Sequence, residues 1–254
     1  MERLPDNITE DTKLTYLQFL LVRSEFSRND AITMATDMML GGVDTILCGF
    51  DNHPKRNQKV KTAVQTSHSF SFLLFNLARN PQVQEKVYQE LMGLLKHKDA
   101  PITPEILNEM RYLKACVKES MRISPIVDGT SRTLQQDVVM SGYLVPAGTN
   151  LLAHNMVACR QPSYFPEPNS FLPERWLDKS PQRVIPPNFT FLPFGFGPRM
   201  CVGRRIAEHE IWLLLAKIIM NFRVEYPYKE DIGMLFRLVN IPDRPLKFKF
   251  VDRD

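Results

Sequence analysis

Apolar positions recur at helical spacing through the first half of the chain and give way to alternation in the second. Leu14, Leu17, Leu20 and Leu21 predict a helix within Leu14 to Phe26. Asn29-Asp30 offers a cap for a second helix, Ala31 to Leu40, that runs into Gly41-Gly42-Val43-Asp44-Thr45. A third apolar helix is expected over Thr66 to Leu77. Asn80 followed by Pro81 predicts the cap and first position of a fourth, reaching Leu95. Thr103-Pro104-Glu105 opens a short helix by the same logic, and Met110 to Ile123 is another, ended by Pro125. From Thr130 to Met156 the pattern is β-type, with turns at Ser141-Gly142 and Pro146-Ala147-Gly148. Residues 161 to 200 are rich in proline and read as a meander without regular elements. A long helix from Cys201 to about Asn221 and a strand carrying Leu246, Phe248 and Phe250 complete the chain. The class is α+β, mainly helical, with the strands gathered in the second half.

Composition narrows the chemistry. With 32 basic and 28 acidic side chains among 254 residues, the net charge of +4 is too mild to indicate a nucleic-acid partner. The four cysteines, Cys48, Cys116, Cys159 and Cys201, form no Cys-x-x-Cys pair. Zinc ribbons and thiol redox motifs are therefore excluded, and a disulfide framework is not expected. The first residues hold no apolar or Arg/Ser-rich amphipathic stretch, so no signal or transit peptide is expected in this chain. Its longest apolar runs fall short of the ~20 residues of a spanning helix.

The most informative segment is Phe194-Gly195-Phe196-Gly197-Pro198-Arg199-Met200-Cys201-Val202-Gly203. A single cysteine follows a glycine-rich loop and opens an amphipathic helix, whose N-terminal amides favour a thiolate. Gly195 and Gly197 let the backbone lie close to a flat ligand, and Phe194 would keep water off the sulfur. Arg199 supplies a fork for a carboxylate. A dinucleotide loop is excluded, because Met200 stands where its third glycine would be.

This segment resembles the haem-cysteinate loop of the cytochrome P-450 monooxygenases, Phe-x-x-Gly-x-Arg-x-Cys-x-Gly, at every defined position. Glu119-Ser120-Met121-Arg122 is similar to the Glu-x-x-Arg of that family's K helix, and Arg175 in Pro173-Glu174-Arg175-Trp176 to the third member of its buried ion network. Gly41 to Thr45 resembles the oxygen-binding segment of its I helix. The resemblance implies the C-terminal half of the cytochrome P-450 fold, from the I to the L helix with small β-sheets. It implies haem b with Cys201 as the axial ligand to iron, Arg199 and Arg132 on the haem propionates, and Asp44 and Thr45 delivering protons to dioxygen. Tyr112 to Glu119 is similar to the mitochondrial branch, in which Lys114 and Lys118 receive an adrenodoxin-like ferredoxin. A weaker likeness points to the insect ecdysteroid hydroxylases. The expected reaction is oxygen insertion into a C–H bond of an apolar, steroid-like substrate. The expected location is the matrix side of the mitochondrial inner membrane, with membrane association through the half that this chain lacks.

Two departures qualify the resemblance. The family's early helices, its Trp-x-x-x-Arg haem contacts and its substrate lid have no counterpart here, so the remaining helices are expected to expose apolar faces. Ile46 to Gln65 also interrupts the I-helix pattern with four basic side chains, Asp51 and Pro54. Joining Thr45 to Thr66 restores that pattern. The expectation is one partial cytochrome P-450 domain over 1–254 with a foreign-looking insert at 46–65, read as a retained intron or an error in the gene's reading. The other reading is a genuine loop insertion, which would break the helix beside Thr45. The alternative function is a non-catalytic, truncated or mis-spliced product that binds haem poorly.

Overall fold

The computed structural model describes residues 65–237 and 239–253. The two earliest predicted helices, Asp44, Thr45 and the intervening segment up to Val64 lie outside the described residues.

The first described helix, α1 (Gln65–Arg79), starts at Gln65, which the sequence pattern places in the insert, and runs two residues beyond Leu77. It buries Phe70, Phe72, Leu73, Leu74 and Leu77. Asn80 alone separates it from α2 (Pro81–Leu95), and Pro81 takes the first helical position as expected. The Asn80 side chain, however, makes no capping bond. Its Nδ2 instead donates to the Asn76 carbonyl at 2.7 Å. With one residue between helices, that amide reaches an orphan carbonyl of α1 that would otherwise lack a partner.

Thr103 caps the short α3 (Pro104–Glu109), its hydroxyl accepting from Ile106 N–H at 3.4 Å. Helix α4 (Arg111–Ile123) has no side-chain cap from its own flank, Met110. Glu90 of α2 serves instead, its two carboxylate oxygens accepting from Tyr112 N–H at 2.7 Å and Leu113 N–H at 2.9 Å. The start of α4 is thus fixed by a residue 22 positions upstream.

Strand β1 (Gly129–Thr133) pairs antiparallel with β4 (Asn150–His154), register Gly129↔His154 to Thr133↔Asn150. Between them β2 (Val138–Met140) and β3 (Tyr143–Val145) form a hairpin. Ser141 and Gly142, with φ of 49° and 84°, give the doubly left-handed turn that two-residue hairpins favour. A single-turn helix, α5 (Asn155–Ala158), follows β4 directly.

The stretch from 161 to 200 contains two turns of 3-10 helix, Pro173–Trp176 and Gly197–Arg199, where the sequence pattern predicts none. The first opens on Pro173 and the second carries Pro198 as its second residue, and the preset φ of proline suits such a turn. Helix α6 (Arg204–Asn221) runs into β5 (Phe222–Glu225), which pairs with β8 (Lys249–Asp252), and β6 (Met234–Arg237) pairs with β7 (Val239–Pro242).

One core joins α1, α2, α4 and α6 through residues such as Leu73, Leu77, Val87, Leu91, Leu113, Cys116, Ile211, Leu215 and Ile219. Buried Gln84 closes its end by imitating a strand partner for β5: Val224 N–H donates to its Oε1 at 2.8 Å, and its Nε2 donates to the Val224 carbonyl at 3.0 Å. The opposite side of α6 is open, with Ile206, Leu213 and Leu214 exposed. That agrees with the expected apolar surface, and α6 is accordingly apolar on more than one face rather than simply amphipathic.

Candidate functional site

The site is assembled around α4. Glu119 and Arg122, one turn apart on its buried face, are fully buried, and Arg175 on the first 3-10 turn nearly so. Arg122 donates from Nε to Glu119 Oε2 at 3.0 Å and from Nη2 to Oε1 at 2.9 Å. Arg175 Nε donates to Oε1 at 3.2 Å, Leu172 N–H to Oε1 at 3.0 Å, and Trp176 Nε1 to Oε2 at 2.9 Å. The carboxylate therefore accepts five hydrogen bonds. The spare donors of the two arginines are spent on carbonyls: Arg122 on Cys159, Pro168 and Ser170, and Arg175 on Glu167. A buried ion network is tolerated when its remaining hydrogen-bonding groups are satisfied in this way. Its consequence is positional, because it nails the meander onto α4.

The meander leads into the cysteine loop. Leu192 O accepts from Gly195 N–H at 3.1 Å and from Asn155 Nδ2 at 2.9 Å, tying the loop's start to the first residue of α5. Cys201 N–H donates to Phe194 O at 2.8 Å and Met200 N–H to Gly197 O at 3.0 Å, closing the loop on itself. Gly195 and Gly197 take φ of +76° and +71°, a region side-chain-bearing residues rarely adopt. A Cβ on Gly197 would meet no atom within 4 Å, so that side of the loop is open. Cys201 is exposed and stands three residues before the first residue of α6. Phe194 is half-buried, with the Arg204 guanidinium 5.7 Å from its ring centre. The other two described thiols are buried, and burial pushes both up: Cys116 well above its ordinary value, Cys159 to about 11.

Arg199 ends the second 3-10 turn, exposed. Arg132 lies on β1, exposed, its Nη1 donating to the Ser131 carbonyl at 2.7 Å. Neighbouring Thr130 packs against the loop, its methyl 3.8 Å from where a Gly195 Cβ would stand. Among the described residues no cluster of three or more His, Cys, Asp or Glu could hold a metal ion. An exposed thiol behind an open glycine loop, with Arg199 and Arg132 exposed, suits a flat, dianionic macrocycle. The residues present fit haem.

The cytochrome P-450 family model matches residues 63–250. The chain belongs to the cytochrome P-450 family. Relatives include cytochrome P-450 CYP12A2 of Musca domestica, 40% identical over 235 residues, 88% of this chain and 40% of that protein. A probable mitochondrial cytochrome P-450 12a5 of Drosophila melanogaster is 42% identical over 231 residues, 87% of this chain and 39% of that protein. The mitochondrial cytochrome P-450 302a1 of Drosophila melanogaster is 35% identical over 224 residues, 87% of this chain and 41% of that protein. The chain thus spans about 40% of the length of the relatives it matches. Within the cytochrome P-450 family, haem is held by a cysteine thiolate. No helix among the described residues is long and apolar enough to cross a membrane.

Lys114 and Lys118 do share one face of α4, and both line a cavity of about 660 Å³ between α4, the cysteine loop and α6. Sequence reasoning did not find Glu90, whose capping role leaves no local signal, nor Trp176 and Trp212. The signal for Trp176 was its place beside Arg175, which brings its indole to the carboxylate that Arg175 meets.

Proposed function

We propose that this chain is the cofactor-holding part of a mitochondrial-type monooxygenase that inserts one oxygen atom from O2 into a C–H bond of an apolar, steroid-like substrate, with electrons from an adrenodoxin-like ferredoxin. The observation that carries the reading is the exposed Cys201 thiol at the exit of a loop with two left-handed glycines, in a segment anchored to α4 by the Glu119–Arg122–Arg175 network. Haem, when bound, would supply dioxygen activation, favoured by electron donation from a thiolate ligand. Cys201 is the ligand in this reading: it follows the glycine loop, and the other two cysteines among the described residues, Cys116 and Cys159, are buried and held as neutral thiols. Arg132 and Arg199 receive the two propionates as charge-assisted forks. Lys114 and Lys118 receive the donor's carboxylates, an attraction that weakens with salt. Asp44 and Thr45 are the proposed proton carriers. The mitochondrial names of relatives support the location and the donor.

The test is the absorption spectrum of the full-length, reduced, CO-bound protein. Thiolate ligation gives a strongly red-shifted Soret band, which Cys201→Ala must abolish; its survival in that variant refutes the assignment. The 46–65 segment is read as foreign to the domain. Deleting it is expected to raise turnover, and equal turnover with and without it would refute that reading.

A further inference from the structure

The chain has two tryptophans, Trp176 and Trp212, and both line the cavity between α4, the cysteine loop and α6. Each lies beneath one of the two α4 lysines. Lys114 Nζ stands 4.5 Å from the centre of a Trp212 ring, and Lys118 Nζ stands 6.0 Å from that of Trp176. An ammonium over an indole face within about 6 Å is attracted by the ring's quadrupole, most strongly for tryptophan. The rings themselves are held. Trp176 is fixed at its edge by the 2.9 Å bond to Glu119 and meets the Phe191 ring in a tilted contact, centres 4.8 Å apart, while Trp212 sits on α6 with its centre 5.2 Å from the His209 ring.

The charge around this cavity is one-sided. Lys114, Lys118 and Arg204 face it with a single acid, Glu208, and Arg204 already engages Glu208 at 3.1 Å. Among the described residues neither lysine closes an ion pair, although Lys114 Nζ donates to the Asn108 carbonyl at 3.3 Å and feels the Glu208 and Glu90 carboxylates. Burial, and then repulsion from Lys118, hold Lys114 below the ordinary lysine range. A lysine is a flexible cation on a four-carbon stem, and a partner's carboxylate must ordinarily immobilise it on contact. A ring that holds the ammonium beforehand removes part of that cost, which is preorganisation.

We propose that Trp176 and Trp212 are positioning residues for donor docking: their rings hold Lys118 and Lys114 over the cavity, so that the carboxylates of an acidic ferredoxin meet cations already in place. This rests on the docking role proposed above for the two lysines. Trp176 also ties the docking face to the buried Glu119 network, whereas Trp212 packs on the edge of the core without a bond to that network, so Trp212→Leu, which keeps apolar packing, is the cleaner probe.

The experiment uses the haem-loaded, full-length protein and an adrenodoxin-like ferredoxin. Trp212→Leu keeps an apolar side chain and removes the ring. It is expected to raise the KM for ferredoxin about two- to fivefold at low salt, the range set by an exposed cation–π contact, with little change in kcat. Calorimetric affinity for oxidised ferredoxin should fall by the same factor, and Trp212→Phe should recover most of both. Trp176→Phe should leave the Lys118 contact largely intact while lowering the melting temperature through the lost N–H. Unchanged KM and affinity in Trp212→Leu, alongside a raised KM in Lys114→Ala, would overturn this inference and leave the docking reading standing. Unchanged KM in Lys114→Ala and Lys118→Ala would overturn both. A fall in kcat with KM unmoved would assign Trp212 to the fold rather than to docking.

Discussion

The indole N–H of Trp176 donates to Glu119 Oε2 at 2.9 Å, so a ring lining a surface cavity is bonded to a carboxylate with no exposure at all. Glu119 is the hub through which α4 holds the meander. Replacing it with alanine leaves Arg122 and Arg175 buried without a counter-charge, at a cost of about 3–5 kcal/mol. Urea unfolding of Glu119→Ala should show that loss, while Trp176→Phe, which removes one donor of five, should cost about 1–3 kcal/mol. Equal stability of Glu119→Ala and the parent would contradict the network's anchoring role.

The three described thiols should differ in reactivity. Cys201 is exposed, whereas Cys116 and Cys159 are buried and pushed up, Cys159 to about 11. Iodoacetamide on the native, haem-free protein at neutral pH should label Cys201 and spare the other two, and haem should protect Cys201. Urea should expose all three. The fold keeps the Cys159 thiol neutral where an unfolded thiol would ionise. Stability is therefore insensitive to this group below its ordinary pKa and declines as the pH rises from there toward about 11. Peptide mapping of the labelled protein, with and without haem, checks the assignment.

Glu90 caps α4 while packed in its own helix, and the balance of forces on it is opposed. Burial raises its carboxyl above the usual range, and the amides of Tyr112 and Leu113 pull it back without fully cancelling that effect. The two amides thus repay only part of what burial costs the charge. Glu90→Gln, which retains one amide oxygen as acceptor, is expected to change stability by less than about 1 kcal/mol. Glu90→Ala strips both caps and should cost about 1–2 kcal/mol. A larger loss in the glutamine variant than in alanine would show that charge, not acceptance, is what α4 requires.

Gly129 opens β1 opposite His154, and a Cβ there would collide with the Ala153 carbonyl of β4. The obstacle is backbone, which cannot swing aside as a side chain would. Gly129→Ala should force β1 away from β4 and cost about 1–3 kcal/mol. Because Arg132 lies three residues along the same strand, haem affinity should fall with it, measured by haem titration of the apoprotein. Gly197→Ala is the contrast: it has space but a φ of +71°, so its cost is conformational, and stability should fall without any effect on β1.

Local pattern was sufficient for what local physics controls. Proline at helix starts, a threonine cap, a Ser-Gly turn and the 3.6-residue spacing of apolar positions placed α1 to α4, the β2–β3 turn and α6 to within a few residues. The spacing of Glu119 and Arg122, and the glycines before Cys201, were likewise visible, because each motif is a constraint among near neighbours. What the sequence could not hold was any relation between distant segments. Asn80 turned backward because α1 ended beside it, α4 took its cap from Glu90 on another helix, and short strands β5 to β7 exist only where partners reach them. The five donors that converge on Glu119 come from α4 itself, Leu172, Arg175 and Trp176. The lysines of α4 met tryptophans supplied by the meander and by α6, so that cavity arose only when three segments far apart in the chain packed together. Hydrogen bonds and ring contacts depend on a few ångströms in space, and separation along the chain does not encode them.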